Sequence, residues 1–586
     1  ENEEEAIVSY DNFNIPISNI FLKANLLEDQ FRIEHCIINN KKDSVVIKGN
    51  IDNISNNTNA LLDINVNKLN LIQFQDVLKS IANKKITNEY KITELKSGVI
   101  ENTEIQIKYE KNKFLIKSLK GKLSNFQTYF ENKILFKVKD SLLMINEKGE
   151  LVIKSNKLIL SKESAAILLE NNIFKYKIEN TNQNDNNLVY LAKIKTNYNK
   201  LRTFLEKLEY KKFERISMSE LQGDIESNLI IEYSELNNLA NYNFNGKLKN
   251  FNLIKDKQDF PVVVENFNGD FSYENSILKI EGNTEINKSP AKVSVNLDKD
   301  YKLLIDVNTK AFSSSFDFLD EYNFLKSGTT ILNMKIVKDN FSDNKWSATV
   351  NGNLYNNKVV IDEVSYRKKE KQKGLLKGKY LFEGLNLKKV ENLTLITNDI
   401  IMVGDIFLDE DGYIDKIDIK DFVRELDNYS ATLTYEENDD FKLAIKGSSI
   451  NISNYLNEDT SDNADGSVEI TIDNFYMNGF NFGSVKVASS VKNNQITNLI
   501  GDIYHQNNSY VFLNYNQEDN ILSKLELSFK DFGLFLSNLK FSDKLLYGNG
   551  DIVFNVDNET RKIVSGKYLI KDFSIKDASF LARLLQ

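Results

Sequence analysis

The chain has 586 residues, of which 41% are hydrophobic and 27% charged. That balance excludes intrinsic disorder, because enough apolar material is present to bury a core. A net charge of -9, with Lys and Arg dispersed among acids, excludes the basic footprint of a nucleic-acid-binding protein.

Read in chain order, the sequence opens at Glu1 and contains neither a signal peptide nor an apolar run of the ~18 residues a membrane helix needs. A helical spacing runs from Leu71 to Ala82, with Phe74, Val77, Leu78 and Ile81 on one side. A polar loop, Asn180 to Asn187, precedes a second helix from Tyr198 to Leu208 carrying Leu201, Phe204, Leu205 and Leu208. Leu303, Ile305 and Val307 recur at period two, and a weaker helical spacing covers Phe316 to Leu325. The one dense basic run, Arg367, Lys368, Lys369, Lys371 and Lys373, reads as a solvated hairpin tip. Asn457 to Gly466 is acidic and linker-like. Beyond it Val468, Ile470 and Ile472 alternate with Glu469, Thr471 and Asp473, and Leu525, Leu527 and Phe529 alternate with Lys524, Glu526, Ser528 and Lys530. A final helical pattern begins at Phe580 and is cut at Gln586.

Successive strand side chains point to opposite faces, so these segments have one oily and one wet face. Lys148-Gly149, Asp411-Gly412, Asp465-Gly466 and Asn549-Gly550 read as turns between strands. The scarcity of proline, with only Pro16, Pro261 and Pro290, permits long ladders. The helices are too few to form a second layer over so many oily faces. The expected fold is therefore mainly β: an elongated, curled antiparallel sheet that hides its oily face in its own concavity as a continuous apolar groove, with a few short helices. Its soft module boundaries give a first β-groove module over 1–195, a second over 196–456, and a C-terminal region over 467–586. The groove-lining candidates are Leu303, Ile305, Val307, Val468, Ile470, Ile472, Leu525, Leu527 and Phe529.

The chemistry of catalysis is sparse. His35 and His505 lie far apart in sequence without metal-ligand or triad partners, and Cys36 is the one cysteine. Asp409-Glu410-Asp411-Gly412 fails the calcium-loop pattern, because Phe407 falls at its first ligand position. A hairpin turn is the better reading. No Walker loop, GxGxxG, CxxC or GxSxG occurs. The expectation is a protein that is not an enzyme, with no cofactor and no metal.

The segment from Leu525 to Leu585 resembles the C-terminal region of the AsmA-like, YhdP-type family. The matching features are Asp531-Phe532-Gly533 and its leucine helix, Gly548 and Gly550, Gly566, Asp572-Phe573, Ala578 and Leu581-Ala582-Arg583-Leu584-Leu585. Tyr198 to Tyr233, Phe244 to Leu297 and Val77 to Tyr109 resemble the family's repeating helix-and-strand units. Ser579 departs from the family's usual proline. The resemblance implies a periplasmic β-groove protein, anchored in the inner membrane through a segment upstream of Glu1. Its implied partners are phospholipid acyl chains and, at the C-terminal end, the outer membrane. The implied role is bridge-like phospholipid transfer that supports outer-membrane integrity. The alternative reading is a surface adhesin or another β-rich binding protein.

Overall fold

The computed structural model describes residues 6–576 apart from 73–93, 131–133, 146–149, 178–187, 208–220, 235–238, 256–261, 314–324, 362–365, 437–439, 456–464, 518–520 and scattered single or paired positions. The expected helices over Leu71–Ala82, Phe316–Leu325 and Phe580–Leu585 fall wholly or mainly outside the described residues, as do the Lys148-Gly149 turn and most of the Asn457–Gly466 stretch. The chain divides into two units: Glu1–Lys288 with Asn296–Lys299, and Ser289–Val295 with Asp300–Gln586.

Both units are mainly β. In the first, strands follow one another as an antiparallel meander from Asn19–Leu27 and Gln30–Asn40 to Val262–Glu274 and Ile277–Ile286. In the second, the meander runs from Leu303–Phe312 and Thr329–Lys338 to Leu545–Asp557 and Ile563–Ile575. Neighbouring strands in sequence pair because short turns make local pairing the cheapest way to satisfy backbone donors and acceptors.

The curled sheet with a continuous concave groove is not what the structure contains. Among the described residues no sheet is curled or closed. Among the described residues, the end strands Asn19–Leu27 and Ile563–Ile575 each pair with one neighbour only. The sheet is also not wholly antiparallel. Phe441–Asn451 and Gly466–Met477 run parallel, so Asp465-Gly466 leads into a strand rather than closing a hairpin. Asn549-Gly550 likewise lies inside Leu545–Asp557, not at a turn. Asp411-Gly412 does turn the chain: Asp409 Oδ1 accepts from the N–H groups of Gly412 at 2.7 Å and Tyr413 at 2.9 Å.

Part of the oily face is covered by short second-layer elements inserted between strands. In the first unit, helix α1 (Tyr198–Lys207) seats Phe204 on Leu158, Ile167, Leu169, Ala192 and Leu229. Its spacing of three and four puts Leu201 beside Phe204 on that face. In the second unit, a small sheet of Leu325–Ser327, Lys358–Ile361 and Tyr366–Lys368 provides cover. Leu325 and Val359 close on Leu354 and Leu395, while Tyr366 closes on Ile400, Phe422 and Ile472. Further along, helix α2 (Phe532–Asn538) covers Val511 and Phe529 with Phe532, Leu534 and Phe535. Asp531 caps α2, its Oδ1 accepting from Leu534 N–H at 2.8 Å. Gly533 lets the helix lie against Leu545–Asp557, where a Cβ would collide with the Leu545 carbonyl oxygen.

The basic run departs from a uniformly solvated tip. Lys369, Lys371 and Lys373 are exposed, but Lys368 is 1% exposed. Its ammonium donates to the carbonyls of Leu354 at 2.7 Å, Asn357 at 2.9 Å and Lys369 at 3.1 Å. Those three acceptors match the three donors of an ammonium, which is why a charge can be buried there.

Candidate functional site

Residues directly opposite one another on paired strands share a face. In the second unit, this rule joins the groove candidates into one surface. Ile305 lies opposite Ile336, which lies opposite Ala348 and then Tyr380. Tyr380 continues to Val390, Ile406 and Ile417. From there the row passes to Leu433, Leu443 and, across the parallel step, Val468. Ile470, on the same face as Val468, is opposite Val487, and the row goes on through Gly501 and Leu513 to Leu527 and Ile552. Strands far apart in sequence thus place Ile305, Val468, Ile470 and Leu527 on a single face. Leu303 and Val307, Ile472, and Leu525 and Phe529 share it by alternation.

That face has two zones. Val307, Ile472 and Phe529, at 5%, 0% and 3% exposure, are dry, Ile472 beneath Tyr366 of the small sheet and Phe529 beneath helix α2. Leu303, Ile305, Val468, Ile470, Leu525 and Leu527 are half-buried. Each of these three strands therefore runs from a dry end to a half-open one. Trp346 stands in the half-open zone, stacked on Phe382 with ring centroids 3.9 Å apart and donating from Nε1 to the Gly384 carbonyl at 2.6 Å. Its indole faces the same side as Ala348, so it belongs to this surface.

The first unit carries its own row. Leu143, Ile153, Phe174, Tyr190 and Ile231 are opposite one another in turn, and all are half-buried. Ile231 leads to Tyr242, and Leu229 leads through Phe244 and Tyr273 to Leu278 on the same face. Burial pushes the Tyr190 phenol above its ordinary range, and its hydroxyl donates to Asn172 Oδ1 at 2.7 Å.

A recurring bulge motif accompanies these rows, and the period-two reading did not contain it. Asn125-Phe126-Gln127, Asn250-Phe251-Asn252 and Asn266-Phe267-Asn268 each begin with an asparagine in the left-handed region, at φ of 51°, 51° and 55°. Asparagine tolerates that conformation better than other chiral residues. The extra residue turns the following ring inward, so that Phe251 and Phe267 are buried opposite each other. The repeated Asn-Phe-amide triplet was the available signal. At Asn392, with φ of 51°, Asp405 takes the amide's part. Its Oδ1 accepts from Asn392 N–H at 2.7 Å and its Oδ2 pairs with Lys420 at 2.8 Å. Desolvation opposes ionisation of Asp405, but Lys420 and that N–H prevail and hold its pKa below the usual carboxylate range.

Cys36 is half-buried on Gln30–Asn40, and His505 ends Gln495–His505 beside the Tyr510 ring at 6.3 Å. Among the described residues no group of three His, Cys, Asp or Glu side chains is placed to hold a metal ion, and no helix is long and apolar enough to cross a membrane.

Fold and surface together define a mainly-β, many-stranded sheet protein with a half-open apolar face. No protein-family model matches the chain, and no curated protein matches it in sequence.

Proposed function

We propose that this chain is a non-catalytic lipid-transfer protein of the AsmA-like, YhdP-type kind. It acts in the periplasm and carries phospholipid between inner and outer membranes with acyl chains lying against the half-open apolar row of its sheet. The observation that carries the reading is the register-linked row itself. From Ile305 to Val468, consecutive strands of the second unit each contribute an apolar side chain at the matching position, several of them short of full burial. A dry core gains nothing from such a half-open strip, whereas an acyl chain gains roughly 0.8 kcal/mol for each methylene it removes from water. Charged headgroups stay in solvent, since burying an unpaired charge is prohibitive. A surface of uniform apolar character suits sliding, because no position holds the tail much more tightly than the next.

Photo-crosslinking in the cell tests this. A photoreactive residue at Ile470 is expected to label phospholipid, and one at Glu469, on the opposite face, is not. Equal labelling at both positions, or labelling at 469 alone, refutes the assignment. Lipid-free purified protein that binds glycan instead would favour the adhesin.

A further inference from the structure

We propose that helix α2 and the last two strands form a terminal seat for one acyl chain, an inference that rests on the lipid reading and gives it a discrete end site. Phe532, Ile552, Phe554, Gly566, Tyr568 and Phe573 are among the residues lining a pocket of about 470 Å³ at this end of the second unit. That size lies within the ~300–1,000 Å³ usual for small-molecule sites. The exposed walls are almost wholly apolar, with Lys567 the one charged residue among those lining them. Two observations select a linear hydrocarbon tail as the occupant. First, the pocket continues the apolar row, since Leu527 is opposite Ile552 and Ile552 is opposite Tyr568. A chain lying along the row reaches the pocket without crossing a polar side chain. Second, the space depends on a glycine. Gly566 stands opposite Phe554, where an added Cβ would come within 2.8 Å of the ring carbon Cδ1. Tyr568, 80% exposed, forms the lip. A tail seated here leaves its headgroup in solvent beside an exposed strand.

The test is calorimetric titration of the full chain with octanoate, decanoate and dodecanoate below their micellar concentrations. One saturable site per chain is expected, with affinity rising roughly fourfold per methylene. Gly566→Leu fills the pocket and should weaken dodecanoate at least tenfold. Tyr568→Ser, which removes an exposed ring and places little demand on folding, should weaken it several-fold. Lys571→Gln, in the same strand but not lining the pocket, should leave it unchanged. Absence of saturable binding, affinity independent of chain length, or unaltered binding by Gly566→Leu with intact circular dichroism overturns the seat. Dimerisation that Gly566→Leu abolishes, without fatty-acid binding, makes the occupant a second copy and also overturns it. Lipid labelling at Ile470 keeps the two ideas separable. If it persists while the pocket fails, the seat alone is wrong; if both fail, the lipid reading falls too.

Discussion

Asn252 and Asn268 hold each other's strands in register. Asn268 Oδ1 accepts from the backbone N–H of Asn250 at 3.1 Å, and Asn252 Oδ1 accepts from that of Asn266 at 2.8 Å. Each amide also donates to the carbonyl of the left-handed asparagine in its own strand, Asn252 to Asn250 at 3.2 Å and Asn268 to Asn266 at 2.7 Å. A bulge leaves ladder groups without backbone partners, and these two side chains supply the partners reciprocally. Asn252→Ala and Asn268→Ala should each lower stability by about 1–3 kcal/mol, because each removes one donor and one acceptor. The double variant should cost less than the sum, since the second substitution strikes a lock already broken. Asn250→Gly should be far milder than Asn250→Ala, which forces alanine into the left-handed region. Urea midpoints with unchanged slopes would check all of these.

Lys368 offers a test of burial against charge. Lys368→Met keeps the length of the side chain but leaves three buried carbonyls without their donor, so a loss of about 3 kcal/mol or more is expected. Lys369→Met and Lys371→Met, on the solvated part of the same tip, should stay within about 0.5 kcal/mol. Thermal unfolding followed by circular dichroism distinguishes them. Equal effects at all three positions would mean that the ammonium is not satisfied by those carbonyls.

These two features mark where sequence reasoning reached its limit. The strands themselves were legible, because alternation such as Val468, Ile470 and Ile472 against Glu469, Thr471 and Asp473 reports a sheet with one oily face directly. Helix α1 was legible from its stripe, whereas α2 was expected only through the family resemblance at Asp531-Phe532-Gly533 and the leucines after it. What covers the oily face was not. Counting helices suggested too little second-layer material, and the remedy of a sheet curled on itself followed from that count. The cover is partly a three-stranded sheet whose strands are three or four residues long, too short to register as a period. Lys368 was misplaced for a related reason: charge runs are ordinarily solvated, and only the convergence of Leu354, Asn357 and Lys369 carbonyls reverses that. Strand composition said which side chains share a face within a strand. It could not say that Ile305 and Val468 share one across ten strands, since that depends on every intervening bulge.

Glu226 should make stability depend on acid pH. Hydrogen bonds and charge attraction from Lys193 at 2.7 Å and Lys249 at 2.9 Å lower its pKa from an ordinary 4.5 to about 2. A carboxyl depressed in the folded state stabilises it fully above the unfolded value and loses that contribution as pH falls through the folded one. The advantage of the parent over Glu226→Gln should therefore be present at pH 6, decline from about pH 4.5, and vanish near pH 2. Salt should shrink it, because the triad is at the surface. Denaturation midpoints of both proteins across that range would reveal it. A constant difference at all pH values would show that the pair of lysines does not act through the charge of Glu226.

Ile470 and Ile472 lie on one face of one strand and should separate folding from transport. Ile472 is fully buried under Tyr366 and its neighbours, while Ile470 is half-buried at the edge of the same cluster. Ile472→Ala should cost about 2–5 kcal/mol, the range for truncating a buried isoleucine, and Ile470→Ala about half as much. Aspartate sharpens the contrast. A carboxylate at 472 must be dehydrated, so Ile472→Asp should fail to fold, whereas at 470 it can reach water and the protein should remain native. If acyl chains travel along the half-open zone, Ile470→Asp nevertheless blocks them, because a tail passing over the carboxylate strips its hydration without replacing it. Glu469→Lys and Thr471→Asp, both exposed on the opposite face, should leave folding and lipid labelling as they were. Circular dichroism of the six variants, followed by lipid crosslinking at Leu527 in each folded one, gives both readouts. A native Ile472→Asp would dissolve the division into dry and half-open zones, and undiminished labelling in Ile470→Asp would place the lipid path elsewhere on the molecule.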